Sequence, residues 1–79
     1  MNGFNEGDRV VVSADAQDNE QYQELGLVGA ELIVTGVAYN RSQHPGYDEG
    51  LGGQGLYDLK FTDGREVAVS LYEYELDGA

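Results

Sequence analysis

The chain has no cysteine and no tryptophan, and only one histidine, one proline and four cationic side chains in 79 residues. Without cysteine there can be no disulfide, no thiolate metal site and no cysteine nucleophile. Small secreted domains usually rely on such staples, so the cytoplasm is the expected compartment. The first residues, Met1 to Arg9, show no basic segment followed by an apolar run. No stretch approaches the roughly 20 apolar residues that span a bilayer. The expectation is a protein neither exported nor held in a membrane. A chain this short builds one core, burying roughly 60% of its unfolded surface. One domain over residues 1–79 follows, with a net stability of only about 4 to 12 kcal/mol. Little of that can be spent on the strained geometry of a catalytic site.

The scarcity of cations is matched by an excess of anions. Fifteen Asp and Glu against four Lys and Arg give a formal charge of -11. Phosphate-contacting surfaces need clustered cations, whereas Arg9, Arg41, Lys60 and Arg65 are scattered, each with a carboxylate within a few positions. Direct nucleic-acid binding is therefore not expected. The negative field instead suits a basic protein surface as partner, although the same charge also keeps a small protein soluble.

Acidity of this degree can accompany disorder, yet 41% of residues are hydrophobic. They fall in blocks of period-two alternation bounded by turn residues, so the chain should fold as β-structure. Arg9 to Ser13 is a β-branched first strand after the turn-like Asn5-Glu6-Gly7-Asp8. Glu31 to Tyr39 is a longer strand, with Gly36 marking a bulge or bend. Leu56 to Thr62 and Glu66 to Leu71 form a hairpin across Asp63-Gly64. A three-residue loop Thr62-Asp63-Gly64 keeps apolar residues on one face, pairing Leu59 with Val67 and Tyr57 with Val69, and sets Lys60 opposite Glu66. Gly64 then takes the left-handed position.

Asp18 to Leu25 can make about two helical turns ending at Gly26. Residues 40–55, rich in glycine and holding the proline, read as a long loop without an element and as the most mobile internal segment. Tyr72 to Leu76 reads as a single turn entering a short closing strand. The core expected from the alternation is Val11, Leu32, Val34, Leu59, Phe61, Val67, Val69 and Leu71, with Tyr57 inside and Tyr39 at an edge.

This order of elements resembles the SH3-like small-barrel superfamily over residues 7–76. The residues that carry the likeness are Gly7-Asp8-Arg9-Val10-Val11-Val12, Gly29 leading into Leu32-Ile33-Val34-Thr35-Gly36-Val37, Tyr57-Asp58-Leu59-Lys60-Phe61 with Asp63-Gly64, and the Tyr74-Glu75-Leu76 ending. The outline is similar to bacterial and phage members, among them KOW-type domains and the small barrel subunit of photosystem I. The resemblance implies a docking module on an all-β barrel of about five strands, with a short helix admitted in the first long loop. Gly55-Leu56-Tyr57-Asp58-Leu59 is similar to the ALYDY stretch of signalling SH3 domains. It stands at the third strand and not near the N-terminus, so proline-peptide binding is not carried over.

Other motifs dissolve on inspection. Gly50-Leu51-Gly52-Gly53-Gln54-Gly55 has the glycine spacing of a dinucleotide site but precedes a strand where that site needs a helix, and Asp48 and Glu49 would repel a pyrophosphate. His44 stands in a Pro-Gly loop as a solvated residue with no second histidine or cysteine. Asp15, Asp18 and Glu20 lack the glycine and the bidentate glutamate of a calcium loop. Glu73 and Glu75 read as solvated charge. Asn40-Arg41-Ser42 matches a glycosylation triplet, idle without export. No catalytic residue, cofactor or metal is expected.

What remains is topological. In such a barrel the first long loop, the second loop and the turn before the last strand can lie around one face. Here they carry Asp15, Asp18, Glu20, Tyr22 and Glu24; Tyr47, Asp48 and Glu49; and Tyr72, Glu73, Tyr74 and Glu75. Tyr22, Tyr47, Tyr72 and Tyr74 are the tyrosines expected at the surface, where tyrosine and carboxylate together suit a basic partner. Two functions stay open. One is a non-enzymatic docking or assembly module. The other is an acidic nucleic-acid mimic that inhibits a DNA- or RNA-binding protein, of the kind small mobile elements and phages encode.

Overall fold

The structure is a computed structural model and describes residues 3–51 and 54–79. The alternating blocks form five strands: β1 (Arg9–Val12), β2 (Leu32–Ala38), β3 (Leu56–Phe61), β4 (Leu71–Tyr72) and β5 (Leu76–Gly78). They make one antiparallel sheet in the order β4-β3-β2-β1-β5. Helix α1 (Glu20–Glu24) lies between β1 and β2, and 3-10 turns occupy Ala14–Ala16, Glu49–Leu51 and Glu73–Glu75. The chain is thus all-β, with its one short helix in the first long loop. Among the described residues no helix is long and apolar enough to cross a membrane.

Helix α1 starts where Asn19 Oδ1 accepts the amides of Gln21 and Tyr22, and stops at Gly26, whose φ of 74° closes the last turn. Strand β2 carries a register shift between Val34 and Gly36, so the bend expected near Gly36 is present. The β3 hairpin turns as its pattern predicts. Lys60 pairs with Glu66, the Val67 amide bonds to the Leu59 carbonyl, and Gly64 has a φ of 95°.

Beyond the turn the hairpin departs from expectation. The strand expected over residues 66–71 is a single bridge at Glu66, a bend at residues 68–69, and the short β4. Tyr57 pairs with Leu71 and not with Val69, a slip of two residues absorbed by that bend. The larger Leu71 thereby fills the site beside Tyr57 and is fully buried, leaving Val69 half-buried. Residues 40–55 also differ from an element-free loop, since they include the turn at Glu49–Leu51.

The main core joins Val10, Val12, Ala16, Tyr22, Leu27, Leu32, Val34, Tyr57, Leu59, Leu71 and Leu76, with Phe61, Val67 and Val69 partly buried against it. Val11 is a correction. Its neighbours Val10 and Val12 point inward, and Val11 sits on the outer row opposite Asp77. Period two puts Val11 on the same side as Arg9, and burying Arg9 would strand an unpaired charge. Arg9 instead meets Glu31 at 2.6 Å in water.

A second, smaller apolar layer lies across the sheet from the first. Ala38, Leu56 and Tyr72 share a register row, and Ala38 and Leu56 are buried outside the main cluster. Tyr47 from the second loop, 1% exposed, packs edge-on against Tyr72 with ring centroids 5.7 Å apart. Its hydroxyl donates to the Gln54 carbonyl at 2.6 Å. The second loop is thereby pinned over the sheet.

Tyr57 needs two small neighbours. A Cβ on Gly55 would lie 2.7 Å from the Tyr57 hydroxyl and 3.0 Å from Val37 Cγ2, and one on Gly3 would overlap that hydroxyl. Phe4 covers the same ring edge-on and donates its amide to the hydroxyl at 2.9 Å. Gly55→Ala is therefore expected to cost about 1 to 3 kcal/mol by overpacking. Chemical denaturation checks it, and a Tyr57→Phe background, which removes the nearest atom, should recover part of the loss.

Candidate functional site

The 3-10 turn Glu73–Glu75 is the point where three loops meet. The Ser13 amide donates to the Glu75 carbonyl at 2.8 Å, and the Ser13 hydroxyl donates to the Tyr74 carbonyl at 3.1 Å. From the second loop, the Asp48 amide donates to the Tyr72 hydroxyl at 2.7 Å. The Gly55 carbonyl accepts from the Glu73 amide at 3.0 Å, and Gln54 Oε1 accepts from the Tyr74 amide at 3.2 Å. From α1, the Tyr22 hydroxyl donates to Glu75 Oε2 at 2.6 Å. The first loop, the second loop and the last turn are thus tied around one short segment.

Twelve residues are expected at this face, and three of them are structural instead. Tyr22 and Tyr47 are buried, as is Glu75 at 9% exposure. An apolar body with one polar tip lets a tyrosine serve either the surface or the core. Here the tips find partners inside: Glu75 for Tyr22 and the Gln54 carbonyl for Tyr47. Glu75 is held by the Tyr22 hydroxyl and by the Tyr72 amide at 2.9 Å, which is why a carboxylate can be buried there. Burial pushes the Tyr22 phenol well up, reinforced by the adjacent Glu75 carboxylate. Burial likewise raises Tyr47, with smaller contributions from Tyr72, Glu49 and Asp48, and raises Tyr57.

Nine residues remain available. Asp15, Asp18, Glu20, Glu24, Asp48 and Glu49 are exposed, and Tyr72 and Glu73 are half-buried. Tyr74 is 54% exposed and stacks on Tyr72, with ring centroids 6.4 Å apart and an interplanar angle of 15°. Two carboxylates are already fixed by local amides: Asp48 accepts from Gly50 at 2.9 Å and Glu49 from Arg41 at 2.7 Å.

Arg41 lies within the second loop, its Nε donating to the Tyr47 carbonyl at 3.4 Å, and the other cations pair elsewhere. Arg9 pairs with Glu31, Lys60 lies opposite Glu66, and Arg65 pairs with Asp63 at 2.7 Å while lying over the Phe61 ring. The Arg65 amide and guanidinium hold the Asp63 carboxyl below its usual range. Among the described residues no ion pair involves Asp15, Asp18, Glu20 or Glu24.

Sequence reasoning missed one constellation. Ser70 donates to Asp58 Oδ1 at 2.6 Å and lies 3.3 Å from His44 Nε2. His44 is half-buried, and its Nδ1 accepts the Gly46 amide at 3.0 Å, so His44 anchors its loop instead of standing free in solvent. With Nδ1 accepting, the neutral ring carries its proton on Nε2, facing a serine whose own proton goes to Asp58. The histidine is therefore not placed to take the serine's proton, and the trio differs from a nucleophilic triad, in which histidine stands in the middle. The grouping of His44, Asp58 and Ser70 was hidden because the three residues come from separate segments.

Among the described residues there is neither a cavity nor a group of three metal-ligating side chains. Of the glycine motif at residues 50–55, Gly52 and Gly53 lie outside the described residues. No family model matches the chain, and neither does any curated protein or solved structure.

Proposed function

We propose that this protein is a small acidic docking module of the SH3-like type, without catalytic activity, that works in the cytoplasm by binding a basic protein surface. The observation that carries the reading is the convergence of three loops on the Glu73–Glu75 turn, which presents Tyr74, stacked on Tyr72, beside Glu73. An exposed aromatic face with a carboxylate at its side suits arginine or lysine, through cation–π attraction and ion pairing together. The element order, the bent second strand and the turn before the last strand agree with the superfamily outline. A docking role rests on that analogy and on the acidic loops.

The mimic reading requires carboxylates in an extended stripe at phosphate-like intervals. The molecule measures 28 × 25 × 24 Å, which favours a local patch over such a stripe. A partner captured from host lysate and identified by mass spectrometry supplies the test. Its association with the wild-type chain should slow as the Debye length is brought from about 30 to 10 Å. Tyr74→Ala with Glu73→Gln should weaken binding at least about tenfold, with the fold intact by circular dichroism. Gradual loss over many single carboxylate substitutions, with DNA or RNA competing for the partner, would establish the mimic instead. Affinity indifferent to salt and to both substitutions would remove this face from consideration.

A further inference from the structure

Strand β2 is paired on both sides for only part of its length. On β3, the carbonyls of Gly55 and Leu59 accept the Glu73 and Val67 amides, so odd-numbered β3 residues turn their backbone groups toward β4. Even-numbered Leu56 and Asp58 therefore bond to β2, where their partners are Ala38 and Gly36. Val37, between those two, turns its N–H and C=O to the other side, the side on which β1 lies. Yet β1 stops short of it. The last contacts are at Val34, whose carbonyl accepts the Gly7 amide and whose amide donates to the Asp8 carbonyl. Behind them the chain leaves the ladder in a turn and passes onto Tyr57, without a backbone bond to Val37 among the described residues. Asp8 bonds back to Asn5 at 2.9 Å, Gly7 has a φ of 94°, and Phe4 crosses to Tyr57. At the far end Gln43 Oε1 takes the Tyr39 amide at 2.7 Å. Among the described residues an open stretch of sheet edge is left, centred on Val37 and bounded by a turn and a side-chain cap.

The side chains along this edge are unusually apolar for so acidic a surface: Val37 is 38% and Tyr39 47% exposed. Gly36 next to them adds no side chain that would hold a second chain away. Exposed Glu6, Asp8 and Asp58 flank the stretch. An unpaired edge is a template for another strand, by backbone bonding for affinity and alternate side chains for specificity. A second copy of this chain would bring one charge of -11 against another.

We infer that the Thr35–Tyr39 edge of β2 accepts an extended segment of the basic partner as an added strand in line with β1, its apolar residues over Val37 and Tyr39 and its Lys or Arg toward Glu6, Asp8 and Asp58. The choice of a basic segment rests on the function proposed above, whereas the strand geometry does not.

The probe is a short synthetic peptide of alternating lysine and valine, followed by amide-resolved NMR of the full chain. Binding should slow exchange of the Val37 amide and shift the resonances of residues 35–39. N-methylation of the peptide at alternate residues should weaken it at least about tenfold, because the ladder bonds are lost while charge and side chains stay. Val37→Pro removes the amide and should abolish the response. If that variant does not fold, Val37→Lys keeps the backbone group and should repel the peptide to a similar degree. Equal binding of the methylated peptide overturns the proposal, as does a footprint confined to Tyr72 and Tyr74. Slowed Val37 exchange without peptide, accompanied by a dimer in sedimentation, overturns it in favour of a second copy. A glutamate-valine peptide bound equally well at residues 35–39 would leave the edge standing and refute the basic partner.

Discussion

Alanine in place of Leu59 should remove about 2 to 5 kcal/mol of stability, against a total of about 4 to 12 kcal/mol for a chain this size. Leu59 is 2% exposed in the main cluster, and its row continues to Val34 on β2. Lost transfer free energy and an unfilled cavity add, because β2 on one side and the backbone bond to Val67 on the other hold the site open. Urea unfolding followed by circular dichroism measures it, and the variant should be substantially unfolded near its physiological temperature. Val11→Ala is the control. On the outer row it deletes half-covered methyl groups and should cost under about 1 kcal/mol. Similar losses at Leu59 and Val11 would mean that the faces of the sheet are assigned wrongly.

The second large effect is a collapse of stability in alkali. Tyr22, Tyr47 and Tyr57 all have phenols raised by burial, so the folded state holds these protons more tightly than the unfolded state does. A raised acid contributes stability that is fully present below the unfolded value of about 10 and falls away as pH climbs through the folded value. Stability should therefore be flat with respect to these groups at neutral pH and drop steeply above about pH 10. The phenolate absorbance of these three should rise together with the loss of circular dichroism. Tyr22→Phe should flatten the drop. It also deprives the buried Glu75 carboxylate of a donor, so its stability at neutral pH should fall by about 1 to 3 kcal/mol. Ionisation of all tyrosines with the sheet intact would contradict the burial of these three.

The hairpin shows how far the sequence could be read and where it stopped. Asp63-Gly64 and the alternation around it set the register at the turn, and Lys60 does meet Glu66. The slip to Tyr57 opposite Leu71 is not written locally. It depends on which side chain fills the space beside Tyr57, a matter of three-dimensional packing. The face of β1 was misread at Val11, although the cue was present: Arg9 and Val11 share a side and Arg9 belongs in water.

The candidate face was harder. That three loops could meet followed from element order, and they do meet at Glu73–Glu75. Which tyrosines stay outside was not legible, because Tyr22, Tyr47 and Tyr74 all stand in polar, acidic stretches. Only the tertiary partners of their hydroxyls separate them. The open edge at Val37 was equally hidden. It arises from the turn at Asn5–Asp8 and the bulge in β2, neither of which specifies where β1 ends relative to β2.

The pairing of Val10 with Gly78 joins segments from opposite ends of the chain. Closing so long a loop is slow, so the local β2–β3 hairpin should form early and β5 should dock late. The Glu73–Glu75 turn leads straight into β5, so its ties to Ser13 and Tyr22 should form as β5 docks. The three-loop face should thus be completed late in refolding, after the β2–β3 hairpin. Loosening of β5 should therefore free the Ser13 amide from the Glu75 carbonyl before it disturbs the β2–β3 hairpin.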